Sequence, residues 1–337
     1  MSDSGSLFND DDLFGSSEPV VRETRQSEPE SAPYAARYSN SRIKPISLDG
    51  LNPMQREAAE HVNGPLLVVA GAGSGKTRVL THRIAHLISN HGVSPMNVLA
   101  ITFTNKAAGE MKHRVESLIG PVAKSMWVST FHSACVRILR VHAERIGYPK
   151  TFSIYDQADA QRLTGYVIRD MGLDVKRFTP RAVHAVISNW KNELVSPTQA
   201  AEQAAHIFDR KHSEIYREYQ ERLLKAGAMD FDDLLVNVVR LFRMHPDVLA
   251  SYQDRFKYIL VDEYQDTNIA QNEIVLSLAA RHHNVCVVGD TDQSIYAFRG
   301  ADFRNIGQFE DAFDEVSVVV LEQNYRSTQN ILDAANA

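Results

Sequence analysis

The chain has 337 residues, 44% of them hydrophobic and 23% charged, with a formal net charge of -6. This is the composition of a soluble globular protein with room for two ordinary domains, and its charge gives no support to a nucleic-acid partner, although an acidic protein can still carry a locally positive groove. Cys135 and Cys286 stand far apart with no CxxC or Cys/His cluster, no run approaches the ~18 apolar residues of a membrane span, and the N-terminus is acidic, so neither a zinc or disulfide framework nor a membrane span or secretory signal is expected, and a reducing cytoplasm is the expected setting.

Residues 1–45 are rich in Ser, Asp, Glu and Pro, carry the run Asp10-Asp11-Asp12 and lack sustained apolar periodicity, which predicts a disordered acidic tail. Phe8, Leu13 and Phe14 form an apolar cluster within it, read as part of a solvated tail, with a docking motif for a protein partner as the alternative. From Leu51 the pattern changes. Apolar runs at Leu66–Ala70, Val98–Phe103, Met126–Thr130, Tyr258–Val261, Val285–Val288 and Val316–Leu321 predict strands buried on both faces of a parallel sheet. Helical stretches such as Lys106–Leu118 and Phe131–Arg145 lie between them, giving an α/β doubly wound architecture.

Between Ala143 and Met229 the strand signals vanish. Helical patterns at Gln157–Met171, Pro180–Lys191, Pro197–Ala205 and Ile207–Ala226 predict an all-helical subdomain inserted into the sheet domain. The expected organisation is a tail over 1–45, a first sheet portion over 46–142, a helical block over 143–229 and a second sheet portion over 230–337.

The chemistry begins after the first strand. Ala70-Gly71-Ala72-Gly73-Ser74-Gly75-Lys76-Thr77 is a glycine loop ending in Gly-Lys-Thr, the phosphate-cradling P-loop, with Ala70 where the strict pattern has glycine. Ala72, Gly73, Ser74 and Gly75 turn backbone N–H groups onto phosphate oxygens, Lys76 reaches the β- and γ-phosphates, and the Thr77 hydroxyl ligates Mg²⁺. The strand Tyr258–Val261 runs into Asp262, placed to hold the Mg²⁺ shell, and Glu263, placed to polarise the attacking water. After Val285–Val288 comes Gly289-Asp290-Thr291-Asp292-Gln293, whose glutamine suits a γ-phosphate or the attacking water, and then Tyr296 and Phe298 in a short loop. Gln323-Asn324-Tyr325-Arg326-Ser327 puts Arg326 where it meets developing phosphoryl charge.

Taken together, these segments resemble the superfamily 1 DNA helicases of the UvrD/PcrA/Rep type. Leu51-Asn52-Pro53-Met54-Gln55 is similar to that family's Q motif, Ala70–Thr77 to motif I, Ile101–Ala108 to motif Ia, Val128–Ser133 to motif Ib and Val261–Asp266 to motif II, with Tyr264 where phenylalanine is common. Gly289–Gly300 resembles motif III and Asn324–Ser327 motif IV, so the resemblance spans residues from about 48 to the end.

The resemblance implies a RecA-like ATPase using ATP and Mg²⁺, moving 3′→5′ on single-stranded DNA and acting at single-/double-strand junctions, with DNA repair as its setting. It implies that Gln55 reads the adenine edge, that Arg78 and Tyr325 flank the nucleotide, and that Phe103, Tyr296 and Phe298 stack bases. It also implies that Asn105 and His132 contact the DNA backbone, that Gln293 and Arg299 couple the γ-phosphate to the aromatic loop, and that Arg326 is an arginine finger. A polar residue at a helix start often only caps it, which is the bland reading of Asn105 and His132. Trp190 is read as core, and both cysteines as small buried groups. The family's second RecA-like domain is not in this sequence, so the chain is expected to hold nucleotide without unwinding DNA alone. Four rivals remain: a GTPase, which lacks support because Asn105-Lys106-Ala107-Ala108 is not Asn-Lys-x-Asp; a P-loop kinase; a nucleotide-gated binding module without turnover; and the helicase part of a helicase–nuclease.

Overall fold

A computed structural model describes residues 43–290 and 304–326. The predicted tail therefore lies outside the described residues, apart from its last three, as do Gln293, Tyr296, Phe298 and Arg299.

The elements follow in chain order. Helix α1 (Pro53–Glu60) leads to strand β1 (Leu66–Ala70), α2 (Lys76–Ser89), β2 (Val98–Thr102), α3 (Asn105–Ile119), β3 (Trp127–Thr130) and α4 (Phe131–His142). Then come β4 (Ser153–Tyr155), α5 (Gln157–Asp170), α6 (Pro180–Asn192), α7 (Pro197–Glu202), α8 (Ile207–Lys225) and β5 (Ala228–Asp230). The chain returns through α9 (Phe231–Met244), α10 (Pro246–Arg255), β6 (Tyr258–Val261), α11 (Ile269–Ala279), β7 (Val285–Gly289), α12 (Arg304–Asp311) and β8 (Ser317–Leu321).

Six strands form one sheet in the order β3-β2-β6-β7-β1-β8, every described pair parallel. β2 and β7 are buried at all five positions, as continuous apolar runs require when helices cover both faces. Because all six strands point the same way, every loop that leaves a strand end emerges on one edge, where α/β sheets bind ligands. β8 departs from the expectation of burial on both faces. It is one of the two edge strands, and its Val318 and Val320 are exposed while Val319 and Leu321 are buried.

The region between Ala143 and Met229 is not wholly helical. β4 and β5 pair in parallel, Ser153 with Ala228 through Tyr155 with Asp230, so the chain enters and leaves the helical block side by side. Three-residue strands are too short to show a period, and Ala-Met-Asp has no β-branched residue, so the sequence carries no strand signal there. Between these strands α5, α6 and α8 close their own apolar cluster, with Val167, Ile187, Ile215, Tyr219 and Leu223 at its centre. Trp190 is partly buried and stacks on Tyr216 at 5.8 Å, a core role, and both cysteines are buried thiols.

Polar groups tie this block to the sheet. Lys191 Nζ at the end of α6 lies 2.6 Å from Asp230 Oδ2 and 2.9 Å from Asp233 Oδ1, and the Tyr219 hydroxyl donates to Asp230 Oδ2 at 2.7 Å. Its neighbour Asn192 accepts from Asn268 Nδ2 at 2.6 Å, and Asn268 is the N-cap of α11. Among the described residues no helix is long and apolar enough to cross a membrane.

Candidate nucleotide site and strand-end cluster

The loop after β1 is shaped by glycine. Gly73 (φ +73) and Gly75 (φ +90) are left-handed, and a Cβ at Gly73 would lie 2.5 Å from Arg326 Cβ while one at Gly75 would lie 2.7 Å from Gln55 Nε2. Any side chain there would meet both backbone strain and a clash. Ala70, the departure from the strict pattern, is the last residue of β1 and sits in extended strand with its methyl buried, so that position makes no demand for glycine.

Two segments brace the loop. Asn52 and Gln55 form a capping box on α1, with Asn52 Oδ1 accepting from Gln55 N and Gln55 Oε1 accepting from Asn52 N. The free end of the same amide donates from Gln55 Nε2 to Ser74 O at 2.8 Å, so the buried Gln55 ties the helix to the loop. From the other side Asn324 Nδ2 donates to Ala72 O at 2.6 Å and Tyr325 N to Gly73 O at 2.9 Å. The exposed Tyr325 ring is held by its hydroxyl, which accepts from Asn52 Nδ2 and donates to Gln323 Oε1, both at 2.8 Å. Arg78 Nη2 donates to Gly50 O at 2.8 Å. Gln55, Tyr325 and Arg326 are thus brought to the phosphate loop, while the Arg78 guanidinium reaches the Gly50 carbonyl.

Lys76 opens α2 and reaches across the sheet edge. Its Nζ lies 3.3 Å from Glu263 Oε2 and 3.5 Å from Asp290 Oδ2, joining the ends of β1, β6 and β7. Asp262, buried at the end of β6, accepts from Glu263 N at 3.0 Å. Burial, reinforced by the Glu263 charge, pushes its carboxyl up to about 6. Glu263 has a left-handed backbone (φ +50), unusual for a residue with a Cβ, and its side chain is partly open to solvent. Burial and Glu263 push Asp266 up to about 6 as well, and its Oδ1 is buried without a hydrogen-bond partner.

These groups suit a hard cation. Mg²⁺ takes oxygen ligands and keeps several waters, and Thr77 and Asp262 offer a hydroxyl and a carboxylate. Among the described residues no group of three His, Cys, Asp or Glu converges as a complete ligand set, so a cation would complete its shell from phosphate and water.

The ends of β2 and β3 lie side by side. Phe103 is partly buried just beyond β2, and Asn105 is exposed at the first position of α3. The caps of α3 and α4 are Thr104, accepting from Ala107 N, and Thr130, accepting from Ser133 N. Asn105 and His132 therefore do not cap these helices. Ser133 Oγ lies at 3.5 Å from Asn105 Oδ1, and the His132 ring meets Phe231 edge-on at 5.9 Å. Sequence reasoning assigned no role to Gln265, Asp290 or Asn324, although all three are polar residues just past strand ends, the one signal that marked them.

A family model described as the UvrD/REP helicase N-terminal domain matches residues 51–314. The chain is 55% identical over 289 residues to the ATP-dependent DNA helicase PcrA of Bacillus subtilis (strain 168), covering 86% of this chain and 39% of that protein. It is 54% identical over 301 residues to the ATP-dependent DNA helicase UvrD1 of Mycobacterium tuberculosis (strain ATCC 25618 / H37Rv), with 86% and 39% covered. Against PcrA of Staphylococcus aureus (strain NCTC 8325 / PS 47) it is 52% identical over 289 residues, with 86% and 40% covered. The chain thus spans about two fifths of the length of these relatives. With its parallel sheet, its P-loop and its strand-end carboxylates, this chain belongs to the UvrD/REP helicase N-terminal domain family.

Proposed function

We propose that the chain is the ATP-binding portion of a DNA helicase that moves 3′→5′ on single-stranded DNA and works in DNA repair in the cytoplasm. The observation that carries this reading is Lys76 at the mouth of the P-loop, bridging Glu263 and Asp290 at 3.3 and 3.5 Å. An incoming triphosphate competes for that ammonium while the loop amides cradle its oxygens. In this reading Thr77 and Asp262 hold Mg²⁺, Glu263 is the general base, Gln293 and Arg326 meet the γ-phosphate, and Gln55, Arg78 and Tyr325 surround the adenine. Phe103, Asn105 and His132, gathered at the ends of β2 and β3, form one part of the DNA track, and Tyr296, Phe298 and Arg299 another, with junction DNA as the working substrate. Residues 46–142 and 230–337 then make one ATP-binding domain, with 143–229 inserted as the helical subdomain. Unwinding requires more than this portion, and the acidic tail offers a surface for protein partners.

The test is ATP binding and hydrolysis by the 337-residue chain with and without single-stranded DNA at low salt. The reading expects Mg²⁺-dependent ATP binding and no processive unwinding by the monomer. Absence of ATP binding overturns the nucleotide site, and processive unwinding by the isolated monomer overturns the division of labour.

A further inference from the structure

Four groups at the sheet edge close a ring. Lys76 faces the side chains of Glu263 and Asp290, and Gln265 joins the same two residues from the opposite side. Gln265 Nε2 donates to Glu263 Oε2 at 2.9 Å, with a longer approach of 3.4 Å to Asp266 Oδ2, and Gln265 Oε1 accepts from Asp290 N at 3.0 Å. The side chain is buried, 2% exposed, so neither end exchanges freely with water. Gly289 makes room for it: a Cβ there would lie 3.3 Å from Gln265 Oε1.

The choice of residue is chemical. Linking a carboxylate to a backbone N–H requires a donor at one end and an acceptor at the other, which a primary amide supplies. Glutamate keeps the acceptor and loses the donor, methionine keeps the length and loses both, and asparagine is one methylene short.

Building on the nucleotide-site reading above, we propose that Gln265 is a positioning residue that ties Glu263 to the end of β7, carrying the occupancy of the phosphate site to the strand that leads on to Gln293. The ring gives the reason. When a phosphate takes Lys76, the two ionic contacts open, and the amide of Gln265 is the link in this ring that still joins Glu263 to Asp290. Glu263 sits on a strained left-handed backbone, a conformation that persists only where neighbouring contacts hold it, and Gln265 supplies one of those contacts.

Hydrogen exchange at the Asp290 amide tests this in the full 337-residue chain, with and without Mg²⁺ and the non-hydrolysable analogue AMP-PNP. The wild type, Gln265→Met, Gln265→Glu and Lys76→Ala are compared, with thermal melts confirming the fold. AMP-PNP is expected to slow exchange at Asp290 by up to about tenfold in the wild type, the scale of one hydrogen bond, because the amide link persists and tightens when Lys76 turns to phosphate. Gln265→Met should exchange about tenfold faster without ligand and lose most of the AMP-PNP response, keeping only what the direct Lys76–Asp290 contact carries, while binding AMP-PNP within about threefold of wild type. Gln265→Glu keeps the acceptor for Asp290 N, so it should stay protected yet show the same reduced response, and it serves alone if the methionine variant does not fold. A wild-type-sized Asp290 response in the folded Gln265 variants, or no response in a wild type that binds AMP-PNP, overturns the link. A wild type that does not bind AMP-PNP, or a Lys76→Ala chain that binds it as well as wild type, overturns the nucleotide site instead.

Discussion

Lys76 and Lys191 each face two carboxylates, one pair at the open edge of the sheet and the other beneath the helical block. Around Lys191 the contacts are 2.6 and 2.9 Å and all three side chains are sealed from solvent, at 0%, 3% and 1% exposure. Around Lys76 they are 3.3 and 3.5 Å, beyond the usual charge-assisted range, and the Glu263 side chain is 36% exposed. The same three charges do different work. A dry, short cluster fixes how α6, α8 and α9 pack, whereas a looser one, open to water on its Glu263 side and buried at Asp290, lets the ammonium change partners more readily.

The sharpest way to break the comparison is to remove each lysine. Lys191→Met strands Asp230 and Asp233 as buried carboxylates and should lower the stability of the chain by about 3–5 kcal/mol, read from urea unfolding. Lys76→Ala should lower it by less, about 1–2 kcal/mol, since Glu263 can be hydrated although Asp290, 3% exposed, is left buried without the ammonium. Equal losses would show that the two clusters are not different in kind.

Within the open cluster, Glu263→Gln should bind ATP as wild type does and lose roughly 100-fold or more in turnover, measured in single-turnover assays wherever the wild type turns over. Unchanged hydrolysis would remove Glu263 from the role of base.

The sealed cluster also has a pH signature. Burial acts first on both carboxylates, but Lys191 holds Asp230 below its ordinary value, while burial and the Asp230 charge push Asp233 up to about 7. Between the ordinary value of 3.8 and about 7 the folded chain therefore binds more protons at Asp233 than the unfolded chain does. The stability this contributes is full below 3.8 and is lost as pH rises through about 7. Asp233→Asn stays neutral, so wild type should lose stability relative to it as pH is raised across that window, and parallel unfolding midpoints would contradict the assignment.

The smallest effect belongs to Tyr264. Its buried hydroxyl donates to Asn272 Oδ1, and Asn272 in turn donates to Gln308 at 2.8 Å. Tyr264→Phe should cost about 1 kcal/mol in urea unfolding without changing nucleotide affinity.

What could be read from the sequence follows the range of the interaction. The P-loop is a local pattern whose glycines are required by left-handed angles at Gly73 and Gly75, and most of the six sheet strands are apolar runs. Lys191 gave no signal because Asp230 is 39 residues away in sequence and only the fold brings them together. Gln265 was visible as a polar residue after a strand, but its partner Asp290 lies 25 residues on. β4 and β5 were too short to show a period, and the exposed face of β8 follows from its place at the sheet edge, which the valine run does not encode.

The most direct test of the account is titration of the chain with Mg²⁺ and ATP by calorimetry, beside Lys76→Ala and the most conservative sealed-cluster variant that folds. The account predicts saturable binding in wild type, at least about tenfold weaker binding in Lys76→Ala, and near-wild-type affinity when the sealed cluster is altered. Equal affinity in wild type and Lys76→Ala would contradict the claim that the open lysine cluster is the phosphate site.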